Sequence, residues 1–171
     1  MPQDKRTDMV SLATEGDRTL YFDFLPLNLG DIKGFKTRFQ LYTVPGQVYY
    51  NSTRKLVLRG ADGVVFVADS QRSRQAENLE SLENLRQNLS DYGMDLDEMP
   101  FVLQYNKRDM DDVLSIDEMN AALNPRHVPA FPATAHNGKG VVTTLKTIAM
   151  LVIEKFNVKQ GLLRKAAEEN A

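Results

Sequence analysis

Residues 38–70, RFQLYTVPGQVYYNSTRKLVLRGADGVVFVADS, carry the reading on which the fold turns. The segment opens as an alternating run, is stopped by Pro45-Gly46, and places Gln47 immediately after the stop. A helix-length stretch over 49–59 follows, with a basic face at Arg54, Lys55 and Arg59. Gly60 and Gly63 flank a turn into GVVFVAD at 63–69. A continuous apolar run of that kind marks a strand covered on both faces, as in a parallel sheet. Strand, short helix, buried strand is therefore the predicted order here.

The same grammar extends in both directions. Upstream, RTLYFDFL at 18–25 alternates and is rich in aromatics, which predicts a strand. LNLGDIKG reads as a turn, with Asn28, Gly30 and Gly34 as breakers, and FKTRFQLYTV at 35–44 completes a β-hairpin at one edge of a sheet. Downstream, Leu79, Leu82, Leu85 and Leu89 keep helical spacing over 74–91. Pro100 precedes a second buried strand, FVLQYN. Ser115 with Glu118 three residues on has capping-box spacing for a helix over 116–123, which Asn124-Pro125 ends. HVPAFPATA reads as a last, proline-interrupted strand. Gly140 leads into a long helix with an apolar stripe at Val141, Leu145, Ile148, Val152 and Phe156. Residues 158–171 read as a polar, fraying tail behind a domain of residues 1–157. Strands alternating with helices after a hairpin imply an α/β fold, with a mostly parallel sheet and helices on both faces.

Composition narrows the class. With 171 residues the chain is large enough for one domain with a proper core. Its formal net charge of −2 gives no global pull toward nucleic acid or an acidic membrane. The absence of cysteine excludes disulfides, thiolate metal sites and thiol catalysis, and it fits a reducing cytoplasm. Two histidines, His127 and His136, without carboxylates at ligand spacing, support neither a zinc site nor a Ser-His-Asp triad. The longest apolar runs, such as IAMLVI at 148–153, are too short to span a bilayer. No cysteine is present to prenylate and Pro2 forbids myristoylation, so no membrane anchor is expected.

In open α/β sheets ligands sit beyond the carboxyl ends of the strands. The chemically suggestive residues fall there: Thr43-Val44-Pro45-Gly46-Gln47, Asp69-Ser70, Asn106-Lys107-Arg108-Asp109 and Thr134-Ala135-His136. A carboxylate at Asp109 can accept paired hydrogen bonds from N1 and the exocyclic amine of guanine, which adenine cannot supply. The Lys107 stem can cover the base, and Asn106 can tie the loop to its neighbours. A glycine amide at Gly46 can approach a phosphate without obstruction, and Gln47 beside it can orient a water for phosphoryl transfer. Backbone amides around Ala135 can face the guanine O6. Arg18-Thr19, at the start of the first strand, has nothing local to mark it as functional.

Taken together, RTLYFDF, TVPGQVYY, GVVFVADS, NKRD and ATAHNGKG resemble the Ras-like small GTPases, and more narrowly their bacterial gliding-motility branch, the MglA type. The likeness runs in order from about Met9 to Phe156. It implies the Ras-like P-loop NTPase fold, a three-layer α/β/α sheet, with GTP or GDP and Mg²⁺ as cofactors. It further implies that Arg18 is an intrinsic arginine finger, Thr19 the first switch threonine and magnesium ligand, and Gln47 the water-positioning residue. Asn106, Lys107 and Asp109 match the guanine motif, and Ala135 the backbone contact to the base. Thr43 stands where most relatives place an Asp near the metal, a change typical of the MglA group. The implied partners are a Roadblock-type activating protein, MglB-like, and motility or polarity effectors.

One departure shapes the expectation. The phosphate loop G-x-x-x-x-G-K-[ST] occurs nowhere in the sequence. In the family it belongs to a strand–loop–helix unit of roughly 30 residues, ahead of the first switch and placed in mid-sheet between the hairpin and GVVFVAD. The fold is thus expected to be incomplete: a truncated GTPase domain without its first strand, P-loop and first helix, holding nucleotide poorly. MVSLA can pair briefly but cannot also supply the helix. The alternative is a P-loop-free, inactive interaction module derived from such a GTPase.

Overall fold

The computed structural model describes residues 10–12, 22–32, 35–44 and 50–169. Six strands and four helices follow in the order β1 (Val10–Leu12), β2 (Phe22–Ile32), β3 (Phe35–Thr43), α1 (Asn51–Leu58), β4 (Val64–Asp69), α2 (Gln75–Ser90), β5 (Phe101–Asn106), α3 (Ile116–Leu123), β6 (Ala130–Pro132) and α4 (Val141–Glu169). Short 3-10 turns at Arg72–Arg74 and Ala135–Asn137 join elements on the same rim.

The strands form two separate three-stranded sheets. In the first, β1, β2 and β3 are antiparallel, with Asp23 opposite Thr43 and Ile32 opposite Phe35. Asn28 and Gly30 do not break the strand as their composition suggests. The register shifts between them, so the irregularity is absorbed as a bulge and β2 runs on to Ile32. The short strand β1, from the MVSLA segment, adds to the outer side of β2 and not to β3.

In the second sheet β4 and β5 are parallel from Val64 opposite Phe101 to Asp69 opposite Asn106, and β6 joins β5 at Leu103 to Tyr105. One face carries Phe66, Ala68, Phe101, Leu103 and Tyr105. These pack with Leu82, Leu85 and Leu89 of α2, Met119 and Leu123 of α3, and Leu58 of α1. Each of the Phe, Leu and Met side chains, fully buried, contributes on the order of 1.5–3 kcal/mol. The other face takes α4. A Cβ on Gly63 would lie 2.8 Å from Val152 and 3.1 Å from Ile148, so helix and strand touch through a position with room only for hydrogen. This α/β arrangement places helices on both sides of a parallel sheet. The expected capping box on α3 is formed: the Glu118 amide donates to Ser115 Oγ, and the Ser115 amide donates to a Glu118 carboxylate oxygen.

Tertiary packing overrides the sequence pattern at four places. Leu79, assigned to the core stripe of α2, is 43% exposed, while Asn78, Ser81 and Asn88 of the same helix are buried. Arg54, assigned to a basic surface, is 5% exposed and donates to both the backbone oxygen and the hydroxyl of Ser81 at 3.0 Å. Burial lowers its pKa. Val67, in a strand expected to be covered on both faces, is 52% exposed. Phe156, assigned to the buried stripe of α4, is exposed as well, and α4 continues helical to Glu169 through the segment expected to fray.

Candidate functional site

The site is built where β4, β5 and β6 end. The buried ladder delivers Asp69 and Asn106 side by side, since they are register partners. Beyond them the chain turns sharply. Lys107 adopts a left-handed φ of 62°, a conformation that costs a non-glycine residue on the order of 1 kcal/mol. Its ammonium reaches back to Asp69 Oδ2 at 2.7 Å. The rest of the loop is stitched to what surrounds it. The Arg108 amide donates to Ala133 O and its guanidinium to Leu114 O, while the Leu114 amide donates to Ser70 O.

Asn106 performs the tie expected of it. Its Oδ1 accepts the Ala135 amide at 2.9 Å, which fastens the loop after β5 to the loop after β6. The second loop is closed by Thr134 and Lys139, whose backbones bridge, and by Gly140 at φ 81°. A Cβ on Gly140 would fall 2.3 Å from Pro132 O, so only glycine serves there. His136 projects from this loop, with Nδ1 3.6 Å from Asp109 Oδ2. Asp109 is left partly exposed at the rim, where a donor pair from a planar base can reach it.

Three contributors had no distinctive signal in the sequence. Asn78, one turn into α2, clamps the end of β4 from both directions: the Asp69 amide donates to its Oδ1 at 3.0 Å and its Nδ2 donates to Asp69 O at 2.8 Å. Arg72 pairs with Glu118 Oε1 at 2.9 Å and with Asp112 at 3.5 Å, bracing the exit of β4 against α3. The hydrogen bond from Arg72, then those from Ser115, pull the Glu118 carboxyl down to about 2. Gly140 was legible only as the residue before a helix.

Of the sequence-predicted residues, Asn106, Lys107, Asp109 and Ala135 are brought together. Thr43 ends β3 in the other sheet, exposed. Arg18, Thr19, Gly46 and Gln47 lie outside the described residues. Among the described residues, no three His, Asp or Glu side chains converge as a metal cage. Of the two residues expected to face Mg²⁺, Thr19 lies outside the described residues and Thr43 carries a neutral hydroxyl. The Asn106–Ala135 tie and the Asp109 carboxylate lie together on the rim beyond β5 and β6.

The Ras family profile matches residues 11–154, most of the chain. The chain belongs to the Ras family. Over 148 residues this Ras-family chain is also 60% identical to the mutual gliding-motility protein MglA of Myxococcus xanthus (strain DK1622), a match covering 86% of this chain and 76% of that protein. The MglA-type assignment read from TVPGQVYY and GVVFVADS stands on that identity. Ras-like GTPases in general use guanine nucleotide and Mg²⁺. No helix among the described residues is long and apolar enough to cross a membrane.

Proposed function

We propose that this chain belongs to a GTP-hydrolysing molecular switch of gliding motility or cell polarity, acting in the cytoplasm. The observation that supports it best is the Asn106–Ala135 hydrogen bond, which gathers the base-reading loops around Asp109. In this reading Asp109 accepts from guanine N1 and the exocyclic amine, the Ala135 amide faces O6, and Lys107 covers the base plane. Gly46 meets the γ-phosphate, Gln47 orients the attacking water, and Arg18 neutralises charge that develops in transfer. Thr19 and Thr43 lie toward Mg²⁺. A Roadblock-type, MglB-like activator and motility effectors read the switch loops, which order with GTP and relax with GDP.

The sequence contains no G-x-x-x-x-G-K-[ST], whose amides, Lys and Ser/Thr hold phosphates and metal in P-loop enzymes. The 171-residue chain by itself is therefore a truncated domain and a poor nucleotide binder. Titration with a fluorescent GTP analogue tests this. Essentially no binding at micromolar concentrations is expected, and micromolar or tighter affinity overturns the truncated reading. Fusing a strand, a G-x-x-x-x-G-K-S loop and a helix ahead of residue 1 is expected to give binding that Asp109→Ala removes. A fused protein that ignores Asp109→Ala overturns the base-reading role.

A further inference from the structure

The helix α4 gives one face to the core and another to solvent. Thr144, Ile148 and Ala149 are buried, and Val152 lies against Gly63. On the opposite side Val142, Lys146, Met150, Glu154 and Val158 follow one another every four residues, and all five are exposed. In an α-helix that spacing makes one continuous ridge, about 24 Å from end to end at 1.5 Å per residue. Met150, in the middle, is 67% exposed, more than any other large hydrophobic side chain among the described residues, and Val158 at one end is 59% exposed. Neither Lys146 nor Glu154 has an ion-pair partner among the described residues.

Along the ridge the order is Val, Lys, Met, Glu, Val. Read backwards, it exchanges the two charges and leaves the rest unchanged. A second copy laid antiparallel, about a two-fold axis beside Met150, therefore sets Lys146 of each copy opposite Glu154 of the other. Val142 meets Val158 at both ends, and the two methionines meet at the centre. We infer that this face of α4 is a self-association surface, and that its occupant is a second copy of the chain in an isologous, antiparallel pair. Four-residue ridges of two helices interdigitate in the commonest class of helix packing. The unbranched, adaptable side chain of Met150 fits beside its twin. A parallel pair would set lysine against lysine and glutamate against glutamate, so charge selects the antiparallel one. The loop that carries Ala135 runs into the Val142 end of α4. Antiparallel pairing thus sends the two rims to opposite ends of the pair, and the ridge contains no rim residue. The pairing needs neither nucleotide nor switch loop.

Sedimentation equilibrium of the 171-residue chain, from micromolar to near-millimolar concentration, tests the pairing. A monomer–dimer equilibrium is expected. It should be weak, because one helix face is small beside the roughly 800 Å² per partner of a standard interface, and weaker still in added salt. Lys146→Glu and Glu154→Lys each bring like charges together twice by symmetry, and each should weaken the dimer at least roughly tenfold. Mixed one to one, these two variants should form a heterodimer as tight as the unsubstituted dimer. A chain carrying both changes should regain self-association. Met150→Asp should abolish the dimer, and Leu79→Asp, on exposed surface of α2, should leave it intact. All these positions are exposed, so thermal melting followed by circular dichroism should not change. A chain that stays monomeric at every concentration overturns the proposal. So does a dimer that the single charge reversals leave intact, which assigns the contact to another face such as the outer edge of β4. Failure of the mixed variants or of the doubly changed chain to associate overturns the antiparallel pair as well.

Discussion

Asn106 and Val67 stand on adjacent strands of one sheet, and their surroundings are opposite. At the end of β5, Asn106 is tied to Ala135, Arg108 to Ala133 and Leu114, and Lys107 to Asp69. On β4, two residues back from the rim, Val67 is exposed on the sheet face opposite Phe66 and Ala68, and the outer edge of the strand has no described strand partner. The loops after β5 and β6 bond directly to one another. A site for phosphates in this family needs a strand, a loop and a helix, and none of the described residues supplies them. The rim at β5 and β6 is therefore braced by its own hydrogen bonds, and the outer edge of β4 is left without a described strand partner.

Substitutions at each end should separate the two. The largest effect is expected from Gly140→Ala, which forces a positive φ and a contact with Pro132 O; a loss of about 3 kcal/mol should appear in urea unfolding. Next, Asn78→Ala removes both clamps on Asp69 and leaves its amide unmet, costing about 2 kcal/mol. Its amide-exchange signature is specific: faster exchange at Asp69, spreading into β4 before β5. If β5 opens first, the two ends are not independent. Asn106→Ala should cost about 1 kcal/mol, because the tie to Ala135 lies at an exposed rim, and nuclear magnetic resonance shifts should move in both loops.

The smallest effect is a pH dependence. Glu118 has its pKa depressed to about 2 by Arg72 and Ser115, so its stabilising contribution is complete above the ordinary carboxylate range. It declines as pH falls from there through about 2. Melting temperature should drop over that acid window, and Arg72→Gln should flatten the drop. Because the pair is exposed, the shift should be small and should shrink with added salt.

Much of this was legible before any coordinates. The runs GVVFVAD and FVLQYN, the capping residues Ser115 and Glu118, and the rule that ligands gather after strands led to the fold and to Asn106 and Asp109. What was not legible depended on neighbours distant in sequence. Asn78, Ser81 and Asn88 look like the wet side of α2, yet each is buried because Asp69, Arg54 and Asn51 offer them hydrogen bonds. Leu79 has the right spacing for the core, but no described element lies over it. Val67 sits in an apolar run that predicts burial on both faces, yet no described element covers its side. Pattern reports what a residue prefers; the partner decides whether the preference is met.

Asn78 has one more consequence. By pairing with both the donor and the acceptor of Asp69, its amide imitates a peptide group and closes the ladder there. Between that plug and the start of β4 remain only a few residues able to add a strand. A long, featureless β-segment from another molecule finds only a short template on this side of β4.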